Sequence, residues 1–296
     1  MIKAFRVAEH TFHLQMPDSS LLWTRLSQYS PFVTEPVESP LFQLDKVDVI
    51  PEMEKKPLIV EEPAEEGAPR IDLYDAGDFL FAEMAVTAKA PVCGILLIRK
   101  DLRQGMLKIL RCPEPSAVFA VNNSLMLMYA FATAGKMTLE MHSSVIVNDG
   151  RGYMFLGKSG TGKSTHSSLW LNYVKGSELL NDDNPILRVG EDGVARVYGS
   201  PWSGKTSCYR NADAPVGAIV RIKQAPFNRI TRQSVLESYA SIYSSCSGFK
   251  ADRKMADGLH ATLEQIALNV PCYTLECLPD EAAALLCSST VMAGRD

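Results

Sequence analysis

The sequence predicts an α/β fold with α+β character, in which a mostly β N-terminal region, residues 1–112, precedes a second domain, residues 113–296. The first observation is a series of short β-type runs separated by proline and glycine, at residues 42–50, 58–60, 78–86 and 93–99. The second is a pair of apolar runs, 141–147 and 153–156, whose turn-rich connection predicts a β-hairpin. The third is a set of helical patterns at 116–134, 164–173, 234–243 and 255–268.

The second hairpin strand runs directly into a glycine-rich segment of the form G-x-x-x-x-G-K-[ST]. Glycines let successive backbone N–H groups turn toward a polyphosphate, a lysine reaches the β/γ oxygens, and a hydroxyl ligates the magnesium that accompanies ATP. We call residues 157–165 the phosphate loop. It predicts ATP and Mg²⁺ as ligands, bound by Gly157, Lys158, Ser159, Gly160, Thr161, Gly162, Lys163, Ser164 and Thr165.

The segments on either side of the phosphate loop refine this prediction. In the commonest nucleotide-binding α/β folds, the strand before such a loop is reached through helices, whereas here a local antiparallel partner precedes it. Leu169, Trp170 and Tyr173 follow at helical spacing. The phosphates would therefore face the positive end of a helix dipole.

Two adjacent carboxylates, Asp182 and Asp183, end the apolar run that follows this helix. Phosphoryl transfer to a hydroxyl needs a group that accepts the proton and a group that holds Mg²⁺, and two acids beside a phosphate loop supply both. These two aspartates, followed by Asn184 and Pro185, are also typical of a turn that is stabilised by local hydrogen bonds. His142, at the start of the first hairpin strand, is either a packed residue or a catalytic one.

The composition of the chain limits the classes of partner and the cellular compartment that we expect. The formal net charge of −4 and a pI near 5.8 provide no overall positive field, so neither nucleic acid nor an anionic membrane is expected as a partner. Seven cysteines without a C-x-x-C pair indicate buried thiols in a reducing compartment. The N-terminus lacks the continuous apolar core of a signal peptide, and the apolar segment 117–134 is read as a buried helix. We therefore expect a cytoplasmic protein.

Two segments are predicted to be loops. Residues 61–69 contain four acids and two prolines without apolar periodicity, which is typical of an exposed loop. The glycine-bracketed segment 198–205, with Trp202 and Lys205, would either close over a ligand or be anchored to the core by its tryptophan.

The order of these motifs resembles the C-terminal catalytic domain of the HPr serine kinase/phosphorylases. The likeness consists of His142 in a Met-His-Ser-Ser strand, the sequence GKSGTGKS after a hairpin, and Asp182-Asp183 about twenty residues later. Residues 115–225 resemble still more the shorter, bacterial HPr-kinase-like proteins. The resemblance implies a P-loop fold related to phosphoenolpyruvate carboxykinase.

Site roles follow from the resemblance. Asp182 matches the family's proton acceptor, Lys163 its phosphate-binding lysine, His142 its active-site histidine and Ser164 its magnesium ligand, and Asp183 is a candidate acidic magnesium ligand. The chain lacks the family's Leu-Glu-[Val/Ile]-Arg-Gly-Leu-Gly signature, and its N-terminal region shows no likeness to that family's. Neither phosphorolysis nor HPr as substrate is carried over.

The function expected from this pattern is Mg²⁺-dependent transfer of the γ-phosphoryl group of ATP to a hydroxyl, on a protein serine or a small molecule. A nucleotide-binding regulatory or assembly protein with little transfer activity is the alternative, and a homo-oligomer is possible. A GTPase is disfavoured because no Asn-Lys-x-Asp motif occurs. A carboxykinase-type lyase would need a carboxylate clamp, for which Arg210 and Lys205 are candidates.

Overall fold

The computed structural model describes residues 1–60, 67–204 and 206–293. Most of the predicted acidic loop and Lys205 lie outside these residues. The chain has a mixed α/β fold and divides into two compact units, Met1–Ala132 and Thr133–Asp296.

The first unit is built on a mixed nine-stranded sheet in the order β3-β1-β2-β4-β9-β8-β7-β6-β5. The β2–β4 and β4–β9 pairs are parallel, and the other pairs among the described strands are antiparallel. The strands are β1 Ile2–Val7, β2 His10–Gln15, β3 Val33–Thr34, β4 Gln43–Val47, β5 Lys56–Ile59, β6 Arg70–Ala76, β7 Phe79–Ala85, β8 Gly94–Arg99 and β9 Gln104–Ile109. A short helix, α1 Leu22–Arg25, and a 3₁₀ helix, Ser27–Phe32, follow β2.

The long helix α2, Glu114–Thr133, packs against this sheet. The Tyr129 hydroxyl donates to the Val7 carbonyl at 3.0 Å. A Cβ on Gly105 of β9 would lie 2.4 Å from the Met128 sulfur, so the helix approaches the strand closely and a larger residue there would displace the Met128 side chain. These contacts join α2 to the strands that precede it.

α2 is also, among the described residues, the one helix long and apolar enough to cross a membrane by length and composition. Sixty-one per cent of its apolar window is buried inside the protein, and Ala120, Val121 and Leu125 are fully buried. The core helix of a globular domain has the same properties, so α2 matches the buried helix predicted from sequence.

The second unit contains another mixed sheet, in the order β10-β14-β15-β16-β12-β11-β13, to which β18 adds on β16 and β17 on β18. The predicted hairpin β11–β12 is antiparallel, while β16 lies between β12 and β18 and is parallel to both. The strands are β10 Thr138–Glu140, β11 Ser143–Asn148, β12 Arg151–Leu156, β13 Glu178–Asp183, β14 Ile186–Val189, β15 Ala195–Tyr198, β16 Asp213–Gln224, β17 Arg229–Arg232 and β18 Cys272–Cys277. The helices are α3 Lys163–Tyr173, α4 Val235–Tyr243, α5 Arg253–Asn269 and α6 Glu281–Ala293.

The core beneath the phosphate loop is formed by α3 and α6 on the central strands. Trp170 of α3 is fully buried and its ring lies 5.1 Å from that of Tyr153 and 5.5 Å from that of Phe155, both on β12. Because strand and helix on either side of the loop share this core, the ends of the loop are held rigidly.

All seven cysteines are free thiols, five of them buried and two half-buried. Among the described residues, no group of three or more His, Cys, Asp or Glu side chains could hold a metal ion by itself. The thiols therefore form part of the packing, as the spacing of the cysteines predicted.

Candidate functional site

The phosphate loop begins after Leu156 at the end of β12, and its last three residues, 163–165, form the start of α3. Its three glycines have positive φ angles, 155° at Gly157, 75° at Gly160 and 99° at Gly162, which side-chain-bearing residues adopt only with strain. A Cβ on Gly157 would lie 2.4 Å from the Thr161 hydroxyl oxygen. The glycine spacing noted in the sequence is thus required by the backbone path.

The N-terminus of α3 carries no side-chain cap. Gly162 is its N-cap residue, in the left-handed conformation, and it has no side chain with which to satisfy the first N–H groups of the helix. Orphan N–H groups at the positive end of a helix dipole suit an anion. The loop therefore has the features that fit a bound polyphosphate.

The Lys163 side chain is 8% exposed and lies along the loop. Its Nζ donates to the carbonyls of Gly157 at 3.1 Å and Lys158 at 3.4 Å. A third contact joins Nζ to His142 Nε2 at 2.9 Å. One cationic group is thus held in the middle of the predicted phosphate site.

His142 bridges Lys163 to Asp183. Its Nδ1 lies 3.0 Å from Asp183 Oδ1, on the other side of the ring from Lys163. An ammonium group can only donate, so Nε2 accepts and we assign the proton to Nδ1, which donates to the carboxylate. The structure therefore brings His142 into the same cluster as the phosphate loop, through a chain of hydrogen bonds from lysine to aspartate.

Asp182 contacts the phosphate loop at Ser164, where α3 begins. Its carboxylate, in a residue only 6% exposed, accepts a hydrogen bond at 3.0 Å from the hydroxyl of Ser164, the first residue after Lys163. Successive residues of a strand point to opposite faces, which explains why Asp182 meets Ser164 whereas Asp183 meets His142. Of the two predicted metal-binding residues, Ser164 thus lies beside Asp182, and Asp183 is bonded to the histidine.

Asp183 has a strained backbone, with φ at 134°. The segment before residue 205 holds this strand end in place: Gly204 N donates to the Asp182 carbonyl at 2.8 Å, and the Ser203 hydroxyl donates to the same oxygen at 3.0 Å. Both acids lie within β13, so the turn interpretation of the Asp-Asp-Asn-Pro segment does not describe their position.

Trp202 and Arg210, two other residues singled out in the sequence, make contacts that explain their positions without a ligand. Trp202 is 1% exposed, which matches the anchoring role that the sequence left open for its segment. Arg210, a candidate carboxylate clamp, donates to the Leu179 carbonyl at 2.9 Å and pairs with Glu178 at 2.9 Å, both in the first half of β13. Its guanidinium is already engaged away from the phosphate loop.

Sequence reasoning missed Glu140, the last residue of β10. It is 1% exposed, and its Oε2 has no hydrogen-bond partner among the described residues. Burial raises the pKa of this carboxyl to about 8; a hydrogen bond with Ser247 lowers it and the nearby charge of Asp183 raises it further. The available signal was an acidic residue between the apolar Leu139 and Met141.

The raised pKa of Glu140 predicts a pH-dependent stability. The folded protein keeps the carboxyl protonated between its ordinary pKa of 4.5 and about 8, whereas the unfolded chain releases the proton. The contribution of the Glu140 carboxyl to the free energy of unfolding is therefore fully present below pH 4.5 and is lost as the pH rises toward 8, by roughly 1.4 kcal/mol per unit of pKa difference at most. We expect Glu140→Gln, which is neutral at every pH, to remove this loss.

Chemical denaturation of Glu140→Gln and wild type at pH 5, 6.5 and 8 measures the effect. The free energy of unfolding of the variant relative to wild type should increase steadily with pH. Glu191→Gln, the same change at an exposed turn residue, is the control and should give a constant difference. A flat profile for Glu140→Gln would show that the carboxyl is ionised in the folded protein.

Comparisons with known proteins add a remote likeness of fold. No protein-family model matches the chain. No curated protein matches it. Among solved structures, the chain is similar to the HPr(Ser) kinase/phosphatase from Coxiella burnetii, with a TM-score of 0.33 and 14% identity over 53% of this chain and 90% of that one. The relationship is distant. It does not by itself establish an activity.

Proposed function

We propose that the protein is an ATP-dependent kinase that transfers the γ-phosphoryl group to a hydroxyl, on a protein serine or a small molecule. The observation that carries the proposal is the meeting of Lys163, Ser164 and Asp182 at the phosphate loop, with 3.0 Å between the serine hydroxyl and the carboxylate. A loop that only bound nucleotide would need the amides and the lysine, and a buried carboxylate at its edge adds a group for chemistry.

Each residue of the proposed site has its own role, which follows from its position. When bound, ATP with Mg²⁺ supplies the transferable group and the metal's positive charge. The loop amides and Lys163 bind the phosphate oxygens and stabilise negative charge on them, and Ser164 is the hydroxyl placed to ligate the metal. Asp182 would accept the proton of the attacking hydroxyl as the acceptor oxygen bonds to the γ-phosphorus, while the bond from that phosphorus to the β,γ-bridging oxygen breaks and ADP leaves.

His142 and Asp183 orient the lysine. Asp183 accepts the proton on Nδ1 of His142, which leaves Nε2 as an acceptor for the Lys163 ammonium. This arrangement directs the Lys163 side chain along the phosphate loop. We therefore place Asp183 beside His142 as an orienting group rather than as the second metal ligand.

The absence of a three-residue metal cluster among the described residues is compatible with Mg²⁺. Magnesium usually keeps several waters and is held by one or two protein oxygens together with substrate phosphates. Ser164 would provide the protein oxygen, and the phosphates of ATP together with water would complete the donor set.

The proposal is tested by following phosphate from [γ-³²P]ATP with Mg²⁺ into acceptors. Purified protein is incubated with a fractionated bacterial extract that has been separated into protein and small-molecule pools, and labelled products are tested for stability. A phosphoester of serine or an alcohol is stable in acid, whereas phosphohistidine is not. We expect an acid-stable labelled product that forms only with Mg²⁺.

Three other outcomes would contradict the kinase proposal. If ATP binds in a titration but no labelled acceptor forms in either pool, the protein is a nucleotide-binding regulatory or assembly protein. If ATP does not bind at all, the phosphate loop does not act as one. Release of labelled inorganic phosphate alone would indicate an ATPase rather than a kinase.

A further inference from the structure

A cavity of about 690 Å³ lies directly beside the phosphate loop and shares Gly160, Thr161 and Gly162 with it. Small-molecule sites in proteins usually have volumes of roughly 300–1,000 Å³. Because four residues of the loop, with Thr165 as the fourth, form part of its wall, a ligand that binds the loop can extend into the cavity without a break.

The position of the cavity in the sheet is that of a ligand site. The parallel strands β12, β16 and β18 end at Leu156, Gln224 and Cys277, so their carboxyl ends meet at one edge. Gln224 and Cys277 both line the cavity. In open α/β sheets, ligands bind in the crevice outside the carboxyl ends of the parallel strands.

The wall is mainly apolar. Leu169 of α3, Ile222 of β16, and Leu278 and Pro279 after β18 line the cavity. Leu278 keeps 39% of its surface exposed, which is unusual for a leucine at a concave position. A flat apolar ring would cover this surface.

The polar side chains of Thr161, Thr165, His166 and Gln224 complete the wall. Gln224 donates its amide N–H to the Gly160 carbonyl at 3.3 Å and so joins the strand end to the phosphate loop. His166 of α3, only 2% exposed, accepts a hydrogen bond from Trp170 on Nε2 at 3.1 Å, so its proton is on Nδ1, which has no partner among the described residues. Burial lowers the pKa of His166 to about 4, so the ring is neutral at physiological pH.

None of the residues that line the cavity is acidic. A guanine base presents two neighbouring N–H donors that are best met by a carboxylate, whereas adenine presents ring nitrogens as acceptors and one amino group. The lining of the cavity provides apolar surface and no carboxylate. This chemistry favours adenine.

We propose that this cavity holds the adenosine part of the nucleotide whose phosphates bind the phosphate loop, with the base against the apolar wall of Leu169, Ile222 and Leu278. The inference rests on the proposed nucleotide binding and adds to it a base site with adenine preference. It assigns the affinity for ATP to two separable parts, the phosphates on the loop and the nucleoside in the cavity.

The test compares Mg–ATP with Mg–tripolyphosphate by isothermal titration at constant ionic strength. Tripolyphosphate offers the loop the same phosphate chain with more charge, so any advantage of ATP must come from the nucleoside. We expect ATP to bind wild type at least about tenfold more tightly, as burial of one large apolar group provides. Mg–GTP should bind more weakly than Mg–ATP.

Leu278→Asn removes apolar surface from the wall at nearly constant volume. It should weaken ATP binding about five- to tenfold and leave tripolyphosphate binding unchanged. Leu285→Asn on α6 is the matched control, since Leu285 is 45% exposed and does not line the cavity. It should leave both affinities as in wild type.

The outcomes separate this inference from the proposed function. Equal affinity for ATP and tripolyphosphate in wild type, or an unchanged ATP affinity in Leu278→Asn, overturns the nucleoside site while phosphate binding at the loop stands. GTP binding as tightly as ATP overturns the adenine preference. Failure of both ATP and tripolyphosphate to bind overturns the proposed function and this inference with it.

Discussion

Asp182→Asn should bind Mg–ATP with an affinity close to that of wild type and lose phosphoryl transfer by about 10²–10⁴-fold, the usual contribution of a positioned proton acceptor. Asparagine keeps the shape of the side chain and its Oδ1, which can still accept the Ser164 hydroxyl proton at the 3.0 Å position. What it removes is the capacity to accept a proton and the negative charge.

The measurement is kcat and the nucleotide dissociation constant on the same protein preparation. Asp149→Asn is the matched control, because Asp149 is exposed in the hairpin turn and has a φ of 48°, a conformation that asparagine tolerates well. It should leave both quantities unchanged. Unchanged transfer in Asp182→Asn would end the assignment of this residue as the proton acceptor.

Asp183→Asn offers a comparison within the site. Because Asp183 is bonded to His142 Nδ1, its replacement changes the orientation of the histidine and, through it, of Lys163. If instead Asp183 were the proton acceptor, Asp183→Asn would lose transfer and Asp182→Asn would retain it. The two variants therefore decide which of the adjacent carboxylates receives the proton.

Lys163→Met should lower phosphoryl transfer by about 10²–10³-fold, comparable to removing one preorganised donor from a catalytic site. Methionine preserves most of the aliphatic stem of this 8%-exposed side chain, so the packing around α3 is largely retained. The charge and the donors to the phosphate oxygens are lost. Mg–ATP affinity should fall as well, because in the proposed mechanism the lysine would contact bound and reacting phosphates alike.

Lys175→Met provides the control for Lys163→Met, since Lys175 is exposed and lies just before β13. A thermal-melting measurement without nucleotide checks that the Lys163 variant is folded. Melting temperature in the presence of Mg–ATP should rise for wild type and for Lys175→Met, and much less for Lys163→Met. Equal ligand-induced shifts in all three proteins would show that nucleotide does not bind at the phosphate loop.

Local features of the site could be predicted because they depend on short stretches of chain. The glycines at residues 157, 160 and 162 are required by the positive φ angles of one loop, and the hairpin and α3 follow from periodicity in neighbouring residues. The lysine and serine of the loop were found by the same means. The predicted boundary between domains at residue 112 and the choice of ATP as nucleotide stay predictions.

Features of the site that depend on contacts between distant parts of the chain could be identified only from the tertiary structure. Which face of β13 each aspartate occupies depends on the register of β13 against β11, where Asp182 lies opposite Ser144 and Asp183 opposite Ser143. The buried Glu140 and the cavity beside the loop likewise depend on segments far apart in sequence.

The sequence by itself predicted the phosphate loop, the hairpin before it and a pair of adjacent acids about twenty residues after it. These features could be read from the sequence because backbone conformation and amphipathic periodicity are set by neighbouring residues. Only the tertiary structure decided that Asp182 contacts Ser164, that Asp183 and Lys163 share His142, and that an apolar cavity continues from the loop. These relations arise from strand register and from the packing of α3 on the sheet, and neither is encoded in any short segment.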